Sequence, residues 1–354
     1  MIYLVMIEPI DTRYTQEWYE HLPTLFTNNG LEWAIIEGSD RTGGYSTSPN
    51  AFLDFSATNI YKSEQVIRMA ELFSNKLVKP NDQFIFFDAW HPGIINLKYM
   101  SDLNQVPVVT HGLWHAGSYD PMDFLGYSIK DKTWSNLVER AYFEIIDYNY
   151  FATQFHINLF LENCLGHYSS KPVGSGFPFW YLREIFQTIQ ESKENLVLFP
   201  HRKSKEKQLD IFLDLEKQLP QYNFYVCSGN VKSKDEYRQM HKRSKLTFSA
   251  NLQETLGIGC YEQLCAGGAV MVPDRLSYSE MYIGEFVYPS EWTINYNAYL
   301  ENRTSVCDRV VYLMEQFHST HIQDLITKNL NNIHDNYFSA NTMIGIIKDV
   351  QSRS

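Results

Sequence analysis

Short apolar runs that alternate with helix-forming segments constrain this chain more than any other feature, and the alternation occurs twice. The first series opens with "IYLVMIEPI", the helix-like "TQEWYEHLPTLFTNNG" and "EWAIIEG". It continues with the helix-like "SEQVIRMAELFSNKL", then "QFIFFDA" (83–89) and "VPVVTHG" (106–112), the amphipathic "WSNLVERAYFEIIDYN" and the strand-like "YFATQF". After a Pro/Gly/Ser-rich stretch, "SSKPVGSGFPFWYLREIF", a second series runs "NLVLFPH", "KEKQLDIFLDLEKQL", "NFYVCSG", "KDEYRQMHKRS", "KLTFSA" and "AVMVPD", with a helical tail from about residue 303. Uniformly apolar strands joined by helices form parallel sheets covered on both faces. The expected architecture is therefore α/β, with two Rossmann-like doubly wound domains facing each other across a cleft. The first spans 1–180 and the second 181–335, and a final helix at about 336–354 packs back on the first. In such folds ligands bind beyond the carboxyl ends of the strands.

A length of 354 residues suits two such domains. The net charge of -11 is lopsided: residues 1–170 hold 10 Lys and Arg against 20 Asp and Glu, while the remainder is nearly balanced. The first half should repel nucleic acid and anionic membrane at long range. The second carries basic runs, "HRKSKEK" (201–207) and "KSKDEYRQMHKRSK" (232–245), which suit phosphates or a solvated helix face. Five cysteines without a C-x-x-C pair read as scattered reduced thiols. The opening apolar run lacks a basic leader, and no stretch approaches the roughly 20 apolar residues of a membrane helix. A soluble, cytoplasmic protein without membrane association is expected.

The stretch "QETLGIGCYEQLCAGGAV" (253–270) places Glu254 and Glu262 eight positions apart across a glycine-bearing bend. Gly257 and Gly259 let backbone N–H groups approach a ligand closely, and a helix starting near Ile258 turns its positive end to that bend. An anion fits the bend, and carboxylates on either side accept hydrogen bonds from hydroxyls. A diphosphate flanked by two sugars matches this description, although two glutamates at this spacing also fit a solvent-facing role.

The letters around them resemble the E-x7-E segment of the large nucleotide-sugar-dependent retaining glycosyltransferases of GT-B fold. That pattern runs E-x-F-G, four residues, then E-A-M-A-x-G-x-P-V-V, and this chain departs from it at Leu256, Gln263, Leu264 and Ala269. Upstream, "HRKSKEK" resembles the family's G-R-L-x-x-E-K, with His201 in place of its glycine. The resemblance covers most of 195–275. It implies that Glu254 contacts donor-sugar hydroxyls and Glu262 the ribose. Thr255, Leu256, Gly257 and Ile258 offer backbone to the diphosphate, Arg202 and Lys207 hold it, and Gly229, ending "NFYVCSG", lies near the nucleotide. The donor it implies is of UDP- or GDP-sugar type, with no further cofactor. Catalysis with retention would rest on Glu254, Arg202, Lys207 and a histidine from the first domain.

For that histidine, "VPVVTHG" resembles the family's strand ending at the catalytic face, which points to His111. His115 and Asp120 in the following loop, Asp88 and His91 in "FDAWHPG", and Asp11 and Arg13 in "EPIDTRYT" are candidates for the cleft or acceptor. Each loop histidine also has a plain structural reading as a hydrogen-bonded core group. No D-x-D motif or clear metal-ligand spacing occurs, so no metal is expected. "FLDFSATNIYKSEQ", "HAGSYDPMDFLG" and "FATQFH" are similar to phage-encoded glycosyltransferases, some of which modify hydroxymethylated pyrimidines in DNA. That association raises double-stranded DNA as acceptor and the host cytoplasm as location, while the acidic first half argues against DNA. A saccharide or small-molecule acceptor, a sugar-nucleotide epimerase of the same fold, and a non-catalytic binder stay open, as do the sugar, the nucleotide and the oligomeric state.

Overall fold

The computed structural model describes residues 1–10, 13–39, 53–187 and 192–353. The chain forms two compact units, one of residues 1–178 with 340–354, the other of residues 179–339.

The first unit is built on six parallel strands in the order β2-β1-β3-β4-β5-β6. These are β1 (Ile2–Val5), β2 (Trp33–Ile36), β3 (Gln83–Phe86), β4 (Val109–Trp114), β5 (Tyr148–Phe151) and β6 (Pro172–Gly174). Between them run α1 (Tyr14–Asn28), α2 (Phe55–Ser74), α3 (Gly93–Asn104), α4 (Phe124–Ser128), α5 (Lys132–Ile145) and α6 (Gln154–Phe160). All four residues of β1 and of β3 are buried, as strands covered on both faces require. Helix α2 starts well before the expected 63–77 because the Asp54 carboxylate accepts from the N–H groups of Ser56 and Ala57 and caps it there.

The second unit has five parallel strands in the order β11-β10-β9-β7-β8. These are β7 (Glu194–Phe199), β8 (Asn223–Val226), β9 (Ser244–Phe248), β10 (Ala269–Pro273) and β11 (Val287–Tyr288). Its helices are α7 (Tyr181–Gln187), α8 (Leu209–Gln218), α9 (Lys234–Arg243), α10 (Ile258–Cys265), α11 (Tyr278–Met281), α12 (Tyr296–Glu315) and α13 (Thr320–Ile333). The chain then returns to the first unit as α14 (Asn341–Ser352), where the Gln83 side chain donates to the Ile347 carbonyl at 3.2 Å and Lys348 donates to Asn29 at 2.9 Å. Among the described residues no helix is long and apolar enough to cross a membrane.

In each sheet the strand order reverses once, between β1 and β3 in the first unit and between β7 and β9 in the second. There the two connections leave in opposite directions and open a crevice at the carboxyl ends of the strands.

Strand β4 corrects one expectation. "VPVVTHG" reads as a strand ending at Gly112, but β4 begins at Val109, after Pro107, and continues to Trp114. Gly112 is in mid-strand, paired with Phe86, and a Cβ there would come within 2.6 Å of the Ile146 side chain. The glycine allows close packing; it does not end the strand.

Candidate functional site

The crevice of the second unit collects the motif residues. Strand β9 delivers the segment Ser249–Glu254 and β7 delivers His201 and Arg202. Gly257 precedes α10 with φ +77°, and a Cβ at that position would lie 2.8 Å from the Tyr278 ring. Both the left-handed backbone and the close approach therefore require glycine.

Lys207 is buried, yet its Nζ lies 3.3 Å from Glu254 Oε2 and donates to the Gln253 carbonyl at 2.5 Å. A short helical turn at Lys205–Lys207 followed by Gln208 in the left-handed region aims the ammonium at that loop. The Asn251 amide reaches the same Glu254 oxygen at 3.3 Å and also donates to the Tyr278 hydroxyl at 3.0 Å. Burial works to raise the Glu254 pKa. The Lys207 ammonium and a hydrogen bond from the Gly257 N–H outweigh it and hold the carboxyl below its ordinary range.

The loop is fixed from below by side chains that donate chiefly to backbone carbonyls. Gln208 donates to the carbonyls of Ala250 and Thr293. Arg275 spreads its guanidinium over the carbonyls of Ala250, Asn251, Ser290 and Thr293. The Leu252 N–H donates to the Glu206 carbonyl at 2.8 Å, so the two motif segments are joined through their main chains as well.

Arg202 is exposed, with its guanidinium 3.6 Å from Glu206, whose carboxylate also accepts from Ser204. It is free to extend toward a ligand in a way Lys207 is not. His201 is buried and neutral: burial, with Lys207 beside it, lowers its pKa to about 3. Its Nε2 and the Asn251 Oδ1 are buried without a hydrogen-bond partner among the described residues, and buried polar atoms are rarely left so.

Glu262 is one turn into α10, half-buried, and accepts from the Tyr237 hydroxyl at 2.7 Å. Gly259 passes close by, since a Cβ there would lie 3.1 Å from Pro200 and 3.4 Å from the Tyr237 hydroxyl. Of the remaining candidates, Leu256 is buried in the core and Thr255 and Ile258 are half-buried. Gly229 takes φ +81° in the exposed turn after β8, on the side of Lys203.

The first unit rearranges the expected assignments. His111 is not at the end of a strand: it is fully buried within β4, where Tyr150 lies 2.8 Å from one ring nitrogen and Gln83 3.0 Å from the other. Burial lowers its pKa to about 3, and through Gln83 it is linked to α14. Both of its ring nitrogens are therefore engaged inside the core of the first unit. His91 is likewise committed: Gln65 lies 2.8 Å from its Nε2, and its Nδ1 accepts from the Gly93 N–H at the start of α3. Burial takes its pKa well below the ordinary value.

The histidine that β4 does present is His115, half-buried just past the strand end. The Phe87 carbonyl lies 2.7 Å from its Nε2 and the Tyr14 hydroxyl 3.3 Å from its Nδ1. The rings of Tyr14, Trp18 and Phe177 surround it, with centroids 4.8 to 6.1 Å away. Burial lowers its pKa against the opposing pull of Asp88. Asp88, just past β3, accepts from the buried Lys62 at 2.6 Å, and Lys62 and His115 hold its carboxyl below the ordinary range against the effect of burial. Asp120 is buried in the turn after β4 and accepts from the Met122 N–H. Arg13 caps α1 with extended backbone, and Asp11 lies outside the described residues. Among the described residues no group of three or more His, Cys, Asp or Glu could hold a metal ion.

Two parallel sheets, each with its strand order reversing once, are the frame of the GT-B fold, and solved glycosyltransferases of that fold superpose on the chain. The chain superposes on sucrose-phosphate synthase from Thermosynechococcus elongatus with a TM-score of 0.63 at 11% identity, covering 100% of this chain and 99% of that one. The α,α-trehalose 6-phosphate synthase from Burkholderia multivorans gives 0.61 at 12% identity, with 100% and 99% covered. The pneumococcal O-GlcNAc transferase GtfA, solved with UDP and GlcNAc, gives 0.53 at 12% identity over 82% of this chain and 60% of that one, so this chain spans about three fifths of that protein's length. At these identities the likeness is one of fold. No family model matches the sequence, and no curated protein sequence does.

Proposed function

We propose that the chain is a retaining glycosyltransferase whose second unit holds a nucleoside-diphosphate sugar. The observation that carries this reading is the ion pair between Lys207 and Glu254 at the amino end of α10, which joins two motifs far apart in sequence. Glu254 accepts from donor-sugar hydroxyls, the backbone at Thr255–Ile258 and the cations Lys207 and Arg202 take the diphosphate, and Glu262 with Tyr237 takes the ribose. Charge builds on the departing diphosphate in the transition state, so cations fixed there act where they lower the barrier. The sugar–phosphate C–O bond breaks, the acceptor oxygen bonds to the anomeric carbon on the same face, and the acceptor's proton passes to the leaving diphosphate oxygen. In the first unit, to which the acceptor is assigned, His115 takes the place that the sequence gives to His111.

A UDP-sugar is the donor class to test first, since relatives in fold include a UDP complex. Hydroxymethylated pyrimidines in duplex DNA are one acceptor class, which would dock on the basic runs 201–207 and 232–245. A saccharide or small-molecule hydroxyl is the other, favoured by the acidity of residues 1–170. The test is release of nucleoside diphosphate from a panel of nucleotide sugars, with sugars, plain DNA and hydroxymethylated DNA as acceptors. Analysis of the product's anomeric configuration follows. Donor consumption without any acceptor would identify an epimerase or hydrolase, and absence of turnover with every donor would defeat the reading.

A further inference from the structure

Helix α3 lies between α2 and α5 on one face of the first unit's sheet, and its exposed side carries a line of large apolar residues among the polar Asn96, Lys98, Asp102 and Asn104. Ile95, Tyr99 and Leu103 are 45%, 65% and 66% exposed and follow one another at i, i+4 and i+8, so they form one continuous ridge. The flanking helices extend it with Ile67 of α2 and Leu137 of α5, 58% and 63% exposed. Single exposed apolar side chains need no explanation, but a contiguous patch rimmed by polar groups marks an interaction surface.

The ridge is also symmetric about its own centre. Ile95 and Leu103 are each four residues from Tyr99, so an antiparallel copy crossing at Tyr99 sets Ile95 against Leu103 of the second copy and Tyr99 against Tyr99. The same crossing brings Lys98 near Asp102 of the second copy. Lys98 and Asp102 are both about half exposed and already paired within the helix at 2.7 Å. One strip therefore carries both the apolar complement and the opposite charges that a two-fold contact needs, because an isologous interface must be self-complementary. A helix of 12 residues, about 18 Å long, falls short of the roughly 800 Å² per partner that a stable interface buries. Ile67 and Leu137, exposed on the helices that pack against α3, are the residues from which additional width would have to come.

We infer that this face pairs two copies of the chain as a symmetric dimer, with α3 crossing α3 at its core. A lipid surface is the other apolar partner to consider. The excess of acidic residues in 1–170 opposes anionic bilayers and, at long range, a second copy as well, but only the second copy brings charges that match the Lys98 and Asp102 of this strip.

Sedimentation equilibrium of the full chain over a wide concentration range provides the test. The wild type should self-associate to a dimer, and Leu103→Glu and Tyr99→Glu should raise its Kd by about tenfold or more. Both positions are exposed, and circular dichroism will verify that the variants fold. Lys98→Asp alone and Asp102→Lys alone should each weaken the dimer, while the Lys98→Asp/Asp102→Lys double variant, which restores opposite charges across the two-fold axis, should recover it. A wild type that stays monomeric at every concentration overturns the inference, as does a dimer that none of these changes disturbs. Monomers that bind phosphatidylcholine or phosphatidylglycerol vesicles through Leu103 would assign the face to a bilayer instead.

Discussion

Lys207 Nζ lies 3.3 Å from Glu254 Oε2 although the two residues are 47 positions apart, and Glu254 remains one-fifth exposed while Lys207 is nearly enclosed. The pair thus offers a carboxylate to the solvent side with its charge fixed from behind. Glu254→Gln keeps the shape and removes the charge. It should lower kcat/KM for sugar transfer by roughly 10²–10³-fold and, because it leaves the enclosed Lys207 ammonium without its counter-charge, should also lower the melting temperature. Lys207→Met should destabilise the fold by roughly 2–4 kcal/mol, less than Glu254→Gln does, because the Glu254 left behind keeps some solvent. Chemical unfolding and diphosphate release, measured on the same preparations, separate the two. If Lys207→Met proved thermally neutral and fully active, the pairing would have no part in either property.

The two histidines of the β4 region should fail in opposite ways. His111→Ala strands the Gln83 and Tyr150 partners in the core and should cost about 1–3 kcal/mol of stability, leaving the kcat of the folded fraction close to wild type. His115→Gln keeps a side-chain amide that can donate to the Phe87 carbonyl, so it should change the melting temperature little while cutting transfer about tenfold to a hundredfold. The reverse pattern would restore His111 to the reaction centre.

Acid should unfold this protein earlier than its carboxylates alone would dictate. Burial lowers His111, His156, His201 and His241 to about 3 in the folded chain, against an ordinary value of 6.5. Between those two pH values the unfolded chain binds the extra protons, so stability falls as pH drops through that interval, by up to about 1.4 kcal/mol per unit for each histidine. Urea midpoints at about pH 7.5 and about pH 5 should differ strongly, and His111→Gln should flatten the dependence by one proton's worth. A profile unchanged in that variant would mean that His111 is charged when folded.

Tyr237→Phe removes the hydroxyl that donates to Glu262 and leaves the ring in place. We expect nucleoside-diphosphate affinity to fall about threefold to tenfold, the scale of one hydrogen bond, with kcat at saturating donor little altered. Isothermal titration with UDP and GDP would register it, and a kcat loss at unchanged affinity would move Glu262 away from the ribose.

Much of the second unit was legible because its site is written in continuous stretches: a strand, a glycine bend and a helix start occupy residues 245–265 without interruption. The candidate residues of the first unit were harder to read, for two physical reasons. Gly112 reads as a terminus, but its missing side chain makes room for Ile146, and that shifted the strand end by two residues and the histidine by four. Lys62 stands just ahead of the stretch read as a helix, and only the fold brings it to Asp88. Arg275 and Gln208 left no trace, since most of their partners are main-chain carbonyls, which every residue possesses.

Helix α14 belongs to the first unit yet follows the second in the chain. On the ribosome, the strand that carries Gln83 emerges long before Ile347 is synthesised, so its bond to α14 cannot form until the whole second unit has been translated. The first unit must therefore wait with one flank uncovered while the second folds. A stop codon near residue 339 would spare every residue of the proposed donor site and still leave its companion unit incomplete. For this chain, the order of synthesis ties the completion of one unit to the production of the other.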